Sequence, residues 1–377
     1  MKKNKTVLVS FSGGIKSLVA AYILKKQGDQ VTGALIQIPS LDGESYSMRS
    51  SCHQNDEEIV QKYCDLLEIP LVKIDGKDYY KQFVIDRLVA AKLSGEALIP
   101  CVYCNQVRMD LLAQKADELK INFVATGHLA QVSKSLTTNS FYLSQALDLE
   151  NDQSFFLTGL TNVYLERLLL PLGKLALAEI VKIAKSLLGK KAEGTAPKIC
   201  LMDEAFLPSY IESHTPESLR PRGSLIEYFE DLPLGEHDGI YRYKLGQKDI
   251  RCTFNEVDPS YEIVSMDPNK NEIKVARNWK HEQKILILKK FESYTELDVS
   301  KPIHTQVALD PFAKEKLPGI LYFSNNGMAY FELEKPITSA LERGAPLVFY
   351  IRSKIIGHAL VEESYKDAPP ITDTFRL

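Results

Sequence analysis

The residues Phe11-Ser-Gly-Gly-Ile-Lys-Ser17 (FSGGIKS) stand between an apolar run, TVLVS, and a helical pattern, LVAAYILKKQG. This order predicts a buried strand, a tight turn, and a helix that begins at the turn. Backbone N–H groups at the start of a helix bind anions, so the turn is suited to a phosphate. Its spacing matches neither GxxxxGK[ST] nor GxGxxG, so the turn alone leaves the phosphate compound open.

The first half of the chain alternates strand and helix patterns. Strands are predicted at 6–11, 30–38, 70–75 and 122–128, and helices at 15–27, 55–68, 78–93, 104–120, 152–168 and 176–187. Such alternation is typical of an α/β domain, a parallel sheet with helices on both faces. Ligands of these sheets bind at the carboxyl ends of the strands, where SFSGG and VATGH lie.

The second half of the chain reads differently. Three prolines within residues 205–224 indicate a domain boundary, and short alternating segments such as YEIVSMD, EIKVAR and MAYFELE follow it. Turn residues such as DPNKN and SNNG separate these segments, which indicates β structure. We therefore predict three domains: the α/β domain at 1–207, a small central β-rich domain at 208–290, and a β-barrel-like domain at 291–377.

The bulk composition excludes some classes of protein. The 377 residues carry a net charge of −3, so charge alone does not indicate a nucleic-acid-binding protein. We find no apolar run near the roughly 18 residues that span a bilayer, and the N-terminus is interpreted as a first strand. A cytoplasmic location without membrane contact is expected. The six cysteines are then more typical of reactive or metal-binding thiols than of a disulfide framework.

A second motif, CVYCN at 101–105, precedes a helical pattern. The C-x-x-C spacing is compatible with a redox pair, with half of a zinc site, or with a nucleophile whose thiolate is favoured near a helix start. A closed structural zinc site is disfavoured because no second C-x-x-C occurs. Cys200, in PKICLMDE, can supply a third thiol.

Seven segments in this order resemble one family: SFSGGIKS, CVYCN, ATGHLAQ, ALDLENDQSFFL, LLPLGKLALAEIVKIAKSLL, KICLMDE and GEHDGIYRYKLGQK. Their order and spacing are similar to those of the tRNA-specific 2-thiouridylases, a branch of the PP-loop ATP-pyrophosphatases, over roughly residues 5–250. The resemblance implies an adenine-nucleotide α-hydrolase-like domain. It also implies that ATP adenylates the C2 oxygen of a wobble uridine in tRNA before a persulfide sulfur replaces that oxygen.

The resemblance assigns roles to individual residues. Cys104 stands at the nucleophile position and Cys200 at the persulfide position, and a transient disulfide between them would release the product. The implied ATP site comprises Ser10, Phe11, Ser12, Gly13, Gly14, Ile15, Lys16, Ser17, Ile36 and Gly127. The implied tRNA contacts are Cys101, His128, Asn151, Asp152 and Gln153. A cysteine desulfurase or a sulfur-relay protein would supply the sulfur.

The chain departs from the family pattern near both motifs. Lys16 replaces an Asp that could bind Mg²⁺, ALIPCVYC replaces TPNPxxxC, and APKIC replaces STGIC. A lysine at position 16 can pair with an ATP phosphate as a point charge, or it can signal altered metal use. These departures mark a divergent member.

Three alternatives stay open at this point. Cys101, Cys104 and Cys200 could instead ligate an iron–sulfur cluster that performs the same thiolation. A catalytically altered paralogue could bind tRNA or a partner without activating uridine. An ATP-pyrophosphatase acting on a small molecule is a third reading, which the NDQSFFL and LGQK motifs disfavour.

Overall fold

The computed structural model describes residues 4–39, 57–135, 138–189, 206–252, 257–313, 315–324 and 328–366. The chain divides into two compact units. The first comprises Met1–Ile85, Pro100–Cys200 and Tyr350–Gly357, and the second comprises Asp86–Ile99, Leu201–Phe349 and His358–Leu377. The three predicted domain limits remain predictions.

The elements follow one another in chain order. The helices are α1 (Ile15–Lys26), α2 (Glu57–Leu66), α3 (Lys77–Tyr80), α4 (Asp86–Leu93), α5 (Pro100–Glu118), α6 (Asn162–Arg167), α7 (Leu177–Leu188) and α8 (Phe206–His214). The strands of the first half are β1 (Thr6–Phe11), β2 (Gln30–Gln37), β3 (Leu71–Asp75), β4 (Phe123–Ala125), β5 (Ala130–Lys134), β6 (Phe141–Gln145) and β7 (Leu168–Leu169). The later strands are β8 (Gly223–Glu227), β9 (Pro233–His237), β10 (Tyr261–Asp267), β11 (Glu272–Arg277), β12 (Gln283–Ser293), β13 (Ile303–Ala308), β14 (Leu317–Phe323), β15 (Ala329–Ile337), β16 (Pro346–Ile351) and β17 (Lys354–Tyr365).

The first unit contains the predicted parallel sheet. Its five strands lie in the order β3-β2-β1-β4-β7, and β1 pairs in parallel with both β2 and β4. Val9 of β1 stands opposite Gly33 on one side and Ala125 on the other. Because β1 and β4 are neighbours and run the same way, the FSGGIKS turn and the ATGH segment leave the same edge of the sheet.

Helix α1 is buried on two sides, which fixes the turn at its start. Leu18 and Leu24 pack in a cluster with β1 and α2, whereas Val19 packs in a second cluster with Ala184 of α7. A helix that is apolar over most of its circumference is buried rather than half exposed. The residues before Ile15 are therefore attached to a rigid element.

The predicted helix at 152–168 is wrong for most of its length. Two 3₁₀ turns, Leu149–Asn151 and Ser154–Leu157, precede the short helix α6. The Asp152 carboxylate accepts hydrogen bonds from backbone N–H groups on both sides of it, as short polar side chains do outside helices. Gly159, at φ +85°, then turns the chain away from a helical path.

The second unit contains most of the β-rich part of the chain. A four-stranded sheet has the order β10-β11-β8-β9, and its core includes Leu225, Ile263 and Ile273. An eight-stranded sheet has the order β12-β15-β14-β13-β16-β17-β6-β5, and a further pairing of β12 with β17 closes its first six strands into a barrel. The expected β-rich region with a barrel-like C-terminal part is therefore confirmed.

Four charged side chains join the segment before α5 to the barrel strands within this unit. Glu96 lies 2.8 Å from Lys289 and 3.5 Å from Arg343, and Glu362 lies 3.0 Å and 2.7 Å from the same two cations. The backbone N–H of Ala97 also donates to the carbonyl of Arg343 at 2.7 Å. These bonds anchor the residues that lead into Pro100.

Candidate functional site

The FSGGIKS turn is organised by its own backbone and by one hydroxyl. Gly13 has φ +78°, and a Cβ built on it would meet no atom within 4 Å, so the space beside it is open. Ser17 Oγ donates to the carbonyl of Gly14 at 2.8 Å and accepts from the N–H of Ser12 at 3.4 Å. No side chain caps the start of α1 at Gly14. Such a helix start fits an anionic group.

Gly127 touches the turn directly. A Cβ on this residue would lie 2.7 Å from the carbonyl carbon of Lys16 and 2.8 Å from the amide nitrogen of Ser17. Both atoms belong to the backbone and cannot move aside, so position 127 admits only glycine. The contact brings the segment after β4 against the start of α1, and the assignment of both to one nucleotide site stays a prediction.

Lys16 and Gln153 are brought together, although the resemblance assigns one to ATP and the other to tRNA. The Lys16 ammonium donates to Gln153 Oε1 at 3.2 Å, and the backbone N–H of Leu129 donates to the same oxygen at 3.1 Å. Gln153 is only 8% exposed. The amide therefore fixes the ammonium beside the end of β4.

Asn151 and Asp152 make internal bonds. Asn151 Nδ2 donates to the Asp148 carboxylate at 3.1 Å. Asp152 accepts from the N–H of Ala146 at 2.9 Å and from the hydroxyl of Ser154 at 2.7 Å. These bonds hold the two 3₁₀ turns together. The tRNA contacts of Asn151, Asp152 and Gln153 remain predictions.

His128 follows Gly127 and is neutral at ordinary pH. Burial, together with the positive charges of Lys16 and Arg108, lowers the pKa of His128 to about 3. Its Nδ1 lies 2.9 Å from the hydroxyl of Thr126. Since both charges act on one imidazole, the turn, the end of β4 and helix α5 converge here.

Helix α5 carries both cysteines of CVYCN in its first two turns. The helix begins at Pro100, a residue favoured at the first helical position. Cys104 is 6% exposed, and Cys101 is half-buried. Arg108 Nε donates to Cys104 Sγ at 3.3 Å. We did not select Arg108 from the sequence, although its position four residues after Cys104 is the signal for one helix face. Cys200 lies outside the described residues.

Phe11, Ser17 and Ile36 are the buried members of the predicted ATP site. Phe11 is 0% and Ile36 is 1% exposed, and the Ile36 side chain lies against Gly76. Ser10, Ser12, Gly13, Gly14, Ile15 and Lys16 are half-buried. The contact of Ile36 with adenine stays a prediction.

The donor set fits a phosphate better than a resident metal. The FSGGIKS turn contains no carboxylate, and Lys16 adds a positive charge where Mg²⁺ would need oxygen ligands. Among the described residues, no group of three or more His, Cys, Asp or Glu side chains is arranged to hold a metal. In the same part of the chain, no helix is long and apolar enough to cross a membrane.

The parallel sheet, with a Ser/Gly turn after β1 and Gly127 after β4 lying against the start of α1, is typical of the class of HUP domains. The family described as "tRNA methyl transferase HUP domain" matches residues 5–204. Curated relatives extend the match over nearly the whole chain. The chain belongs to the family of the tRNA-specific 2-thiouridylases.

Three relatives illustrate the likeness. The tRNA-specific 2-thiouridylase MnmA 2 of Clostridium tetani (strain Massachusetts / E88) is 30% identical over 95% of this chain and 99% of its own length. MnmA of Clostridioides difficile (strain 630) is 27% identical over 97% of this chain and 100% of its own length. MnmA of Clostridium beijerinckii (strain ATCC 51743 / NCIMB 8052) is 33% identical over 65% of this chain and 68% of its own length. The likeness is therefore not limited to residues 5–204, the part that the HUP-domain family matches.

Proposed function

We propose that the protein is an ATP-dependent tRNA sulfurtransferase that converts a wobble uridine to 2-thiouridine. Family membership supports the reaction class. The observation that carries the proposal is that two positive charges act on the His128 imidazole. One belongs to Lys16 of the phosphate-type turn, and the other belongs to Arg108, which contacts Cys104. A nucleotide-activating group and a nucleophilic thiol at one place are what an activation-and-transfer reaction needs.

Activation comes first in the proposed reaction. The uridine C2 oxygen attacks the α-phosphorus of ATP, the bond to the β-phosphate breaks, and pyrophosphate leaves. The N–H groups of Ser12, Gly13 and Gly14 would stabilise the charge on the leaving group. Lys16 would add a point charge to the phosphates, which ATP brings together with its own Mg²⁺. The product is an O-adenylated uridine whose leaving group is AMP.

Sulfur transfer follows. The terminal sulfur of a Cys200 persulfide attacks C2, and the former C2 oxygen departs with AMP. The Cys104 thiolate then attacks the inner sulfur, the sulfur–sulfur bond of the persulfide breaks, and 2-thiouridine is released. A Cys104–Cys200 disulfide remains, and an external thiol reduces it for the next cycle. Cysteine desulfurase or a relay protein supplies the persulfide sulfur.

The remaining predicted residues would hold the tRNA. His128 stays neutral, so it would offer the target base a hydrogen bond rather than a charge. Cys101, Asn151, Asp152 and Gln153 complete this proposed set. The rigid bonds of Asp152 and Gln153 would give the tRNA a preformed surface rather than one that orders on binding.

The test uses anaerobically handled protein, ATP with Mg²⁺, a cysteine desulfurase with cysteine, and unmodified tRNA that carries a wobble uridine. Mass-sensitive nucleoside analysis measures 2-thiouridine, and the visible absorption of the same sample is recorded. We expect thiolation by a colourless protein. We also expect Cys104→Ser and Cys200→Ser to abolish thiolation with tRNA affinity retained, whereas Cys252→Ser, at a half-buried cysteine of the second unit, leaves it intact.

Other outcomes contradict the proposal in different ways. Thiolation that tracks a brown chromophore would replace the persulfide route with an iron–sulfur route. Binding of tRNA without thiolation would identify an altered paralogue. Thiolation by either Cys→Ser variant would remove that cysteine from the mechanism.

A further inference from the structure

Arg108 is a cation in direct contact with Cys104. Its Nε lies 3.3 Å from Sγ, and the two residues are one helical turn apart on α5. Cys104 is 6% exposed, so little water screens the pair. A charge–charge interaction at this distance is several times stronger in such surroundings than in bulk water.

His128 is the usual kind of partner for a reactive cysteine, but here it cannot provide a charge. Its pKa of about 3, caused first by burial and then by the charges of Lys16 and Arg108, leaves the imidazole neutral above pH 5. Of the described charged groups, Arg108 from α5 and Lys16 from the turn act on this imidazole. Lys16 is bound to the Gln153 amide.

We propose that Arg108 is a positioning residue that holds Cys104 as a thiolate in the resting protein. The thiol proton passes to solvent when the thiolate forms, and the guanidinium compensates the negative charge on sulfur. No general base is then required before Cys104 attacks a sulfur atom. The use of the thiolate in sulfur transfer rests on the proposed function, whereas its formation does not.

The experiment is a pH titration of the protein without ATP, tRNA or sulfur donor. Thiolate absorbance near 240 nm is recorded for the wild type and for Cys104→Ser, and the difference isolates Cys104. The rate of iodoacetamide modification of the Cys104 peptide, measured by mass spectrometry, gives a second profile. We expect the wild-type midpoint to lie below the ordinary thiol value of about 8.5.

Three variants sharpen the result. Arg108→Gln should raise the midpoint by about one pH unit or more, because the compensating charge is lost. Arg108→Lys keeps a charge and should restore most of the shift. His128→Asn is the matched control and should leave the midpoint in place, since it removes a neutral group.

The outcomes separate this inference from the proposed function. A wild-type midpoint at or above the ordinary value overturns the inference even if no Arg108 variant folds. An unchanged midpoint in folded Arg108→Gln, or an equal shift in His128→Asn, does so too. A low, Arg108-dependent midpoint in a protein that fails to thiolate tRNA would keep the inference and reject the function.

Discussion

The FSGGIKS turn of the first unit and the barrel strands of the second unit are held in shape by different kinds of contact. At the turn, Gly127 meets the backbone of Lys16 and Ser17, and one added carbon has no room. In the barrel, Phe331 covers Gly319 and contacts the ring of Phe349, so the fit is made by side chains. The turn therefore depends on the missing side chain of Gly127, whereas the barrel interior depends on the large side chains that fill it.

The largest effect should come from emptying the barrel. Phe331 is 0% exposed, and Phe331→Ala should lower the free energy of unfolding by about 3–5 kcal/mol because it leaves a cavity. Fluorescence of Trp279, the chain's only tryptophan and a residue of the second unit, reports denaturant unfolding there. Glu334→Ala, at an exposed position of the same strand, is the control. If Phe331→Ala lowered the free energy of ATP binding by more than it lowers the free energy of unfolding, the turn and the barrel would not be independent, and the comparison would fail.

Filling the turn should give the next largest effect. Gly127→Ala places a methyl group against backbone atoms of the proposed phosphate site, so ATP affinity should fall about 100-fold, or about 2.8 kcal/mol. Calorimetric titration with ATP measures this. Gly189→Ala in the same unit is strained at φ +79° but meets no atom within 4 Å, and it should leave the affinity unchanged. Normal ATP binding by Gly127→Ala would show that the turn can yield.

A smaller effect should appear in the pH dependence of stability, through His128. The pKa of His128 lies below its ordinary value of 6.5 in the folded protein, so the unfolded chain takes up the proton first as pH falls. Above pH 6.5 the imidazole has little effect on stability. Between pH 7.5 and 5 it lowers the free energy of unfolding by about 2 kcal/mol. Denaturant unfolding of His128→Asn should show a flatter pH dependence than that of the wild type over this range. Parallel curves would mean that His128 has the same pKa in the folded and the unfolded chain.

Sequence patterns predicted the fold well where one period dominated. Strands 6–11, 261–267 and 272–277 agree with β1, β10 and β11, because alternation or a buried run fixes their conformation locally. The helix predicted at 152–168 failed because the Asp152 carboxylate bonds to the backbone N–H groups of Ala146 and Ser154, a local alternative to helical hydrogen bonds.

The candidate site was predictable only in part. The motifs supplied Cys104, Lys16 and Gly127, but the bond between Lys16 and Gln153 spans 137 positions and has no local signal. Arg108 was missed because the helix was predicted to begin at residue 104. With its start at Pro100, Cys104 and Arg108 both lie well inside α5, on one face.

The ion network around Glu96 also bears on how the chain is made. During synthesis, Glu96 is made well before its partners. Lys289 lies 193 positions later in the chain, and Arg343 and Glu362 follow Lys289. The segment before Pro100 can therefore be anchored only after the chain has been made as far as Glu362. Its ion pairs are contacts of high sequence separation. A product interrupted before the last barrel strand would contain Cys104 and the phosphate-type turn but lack this anchor.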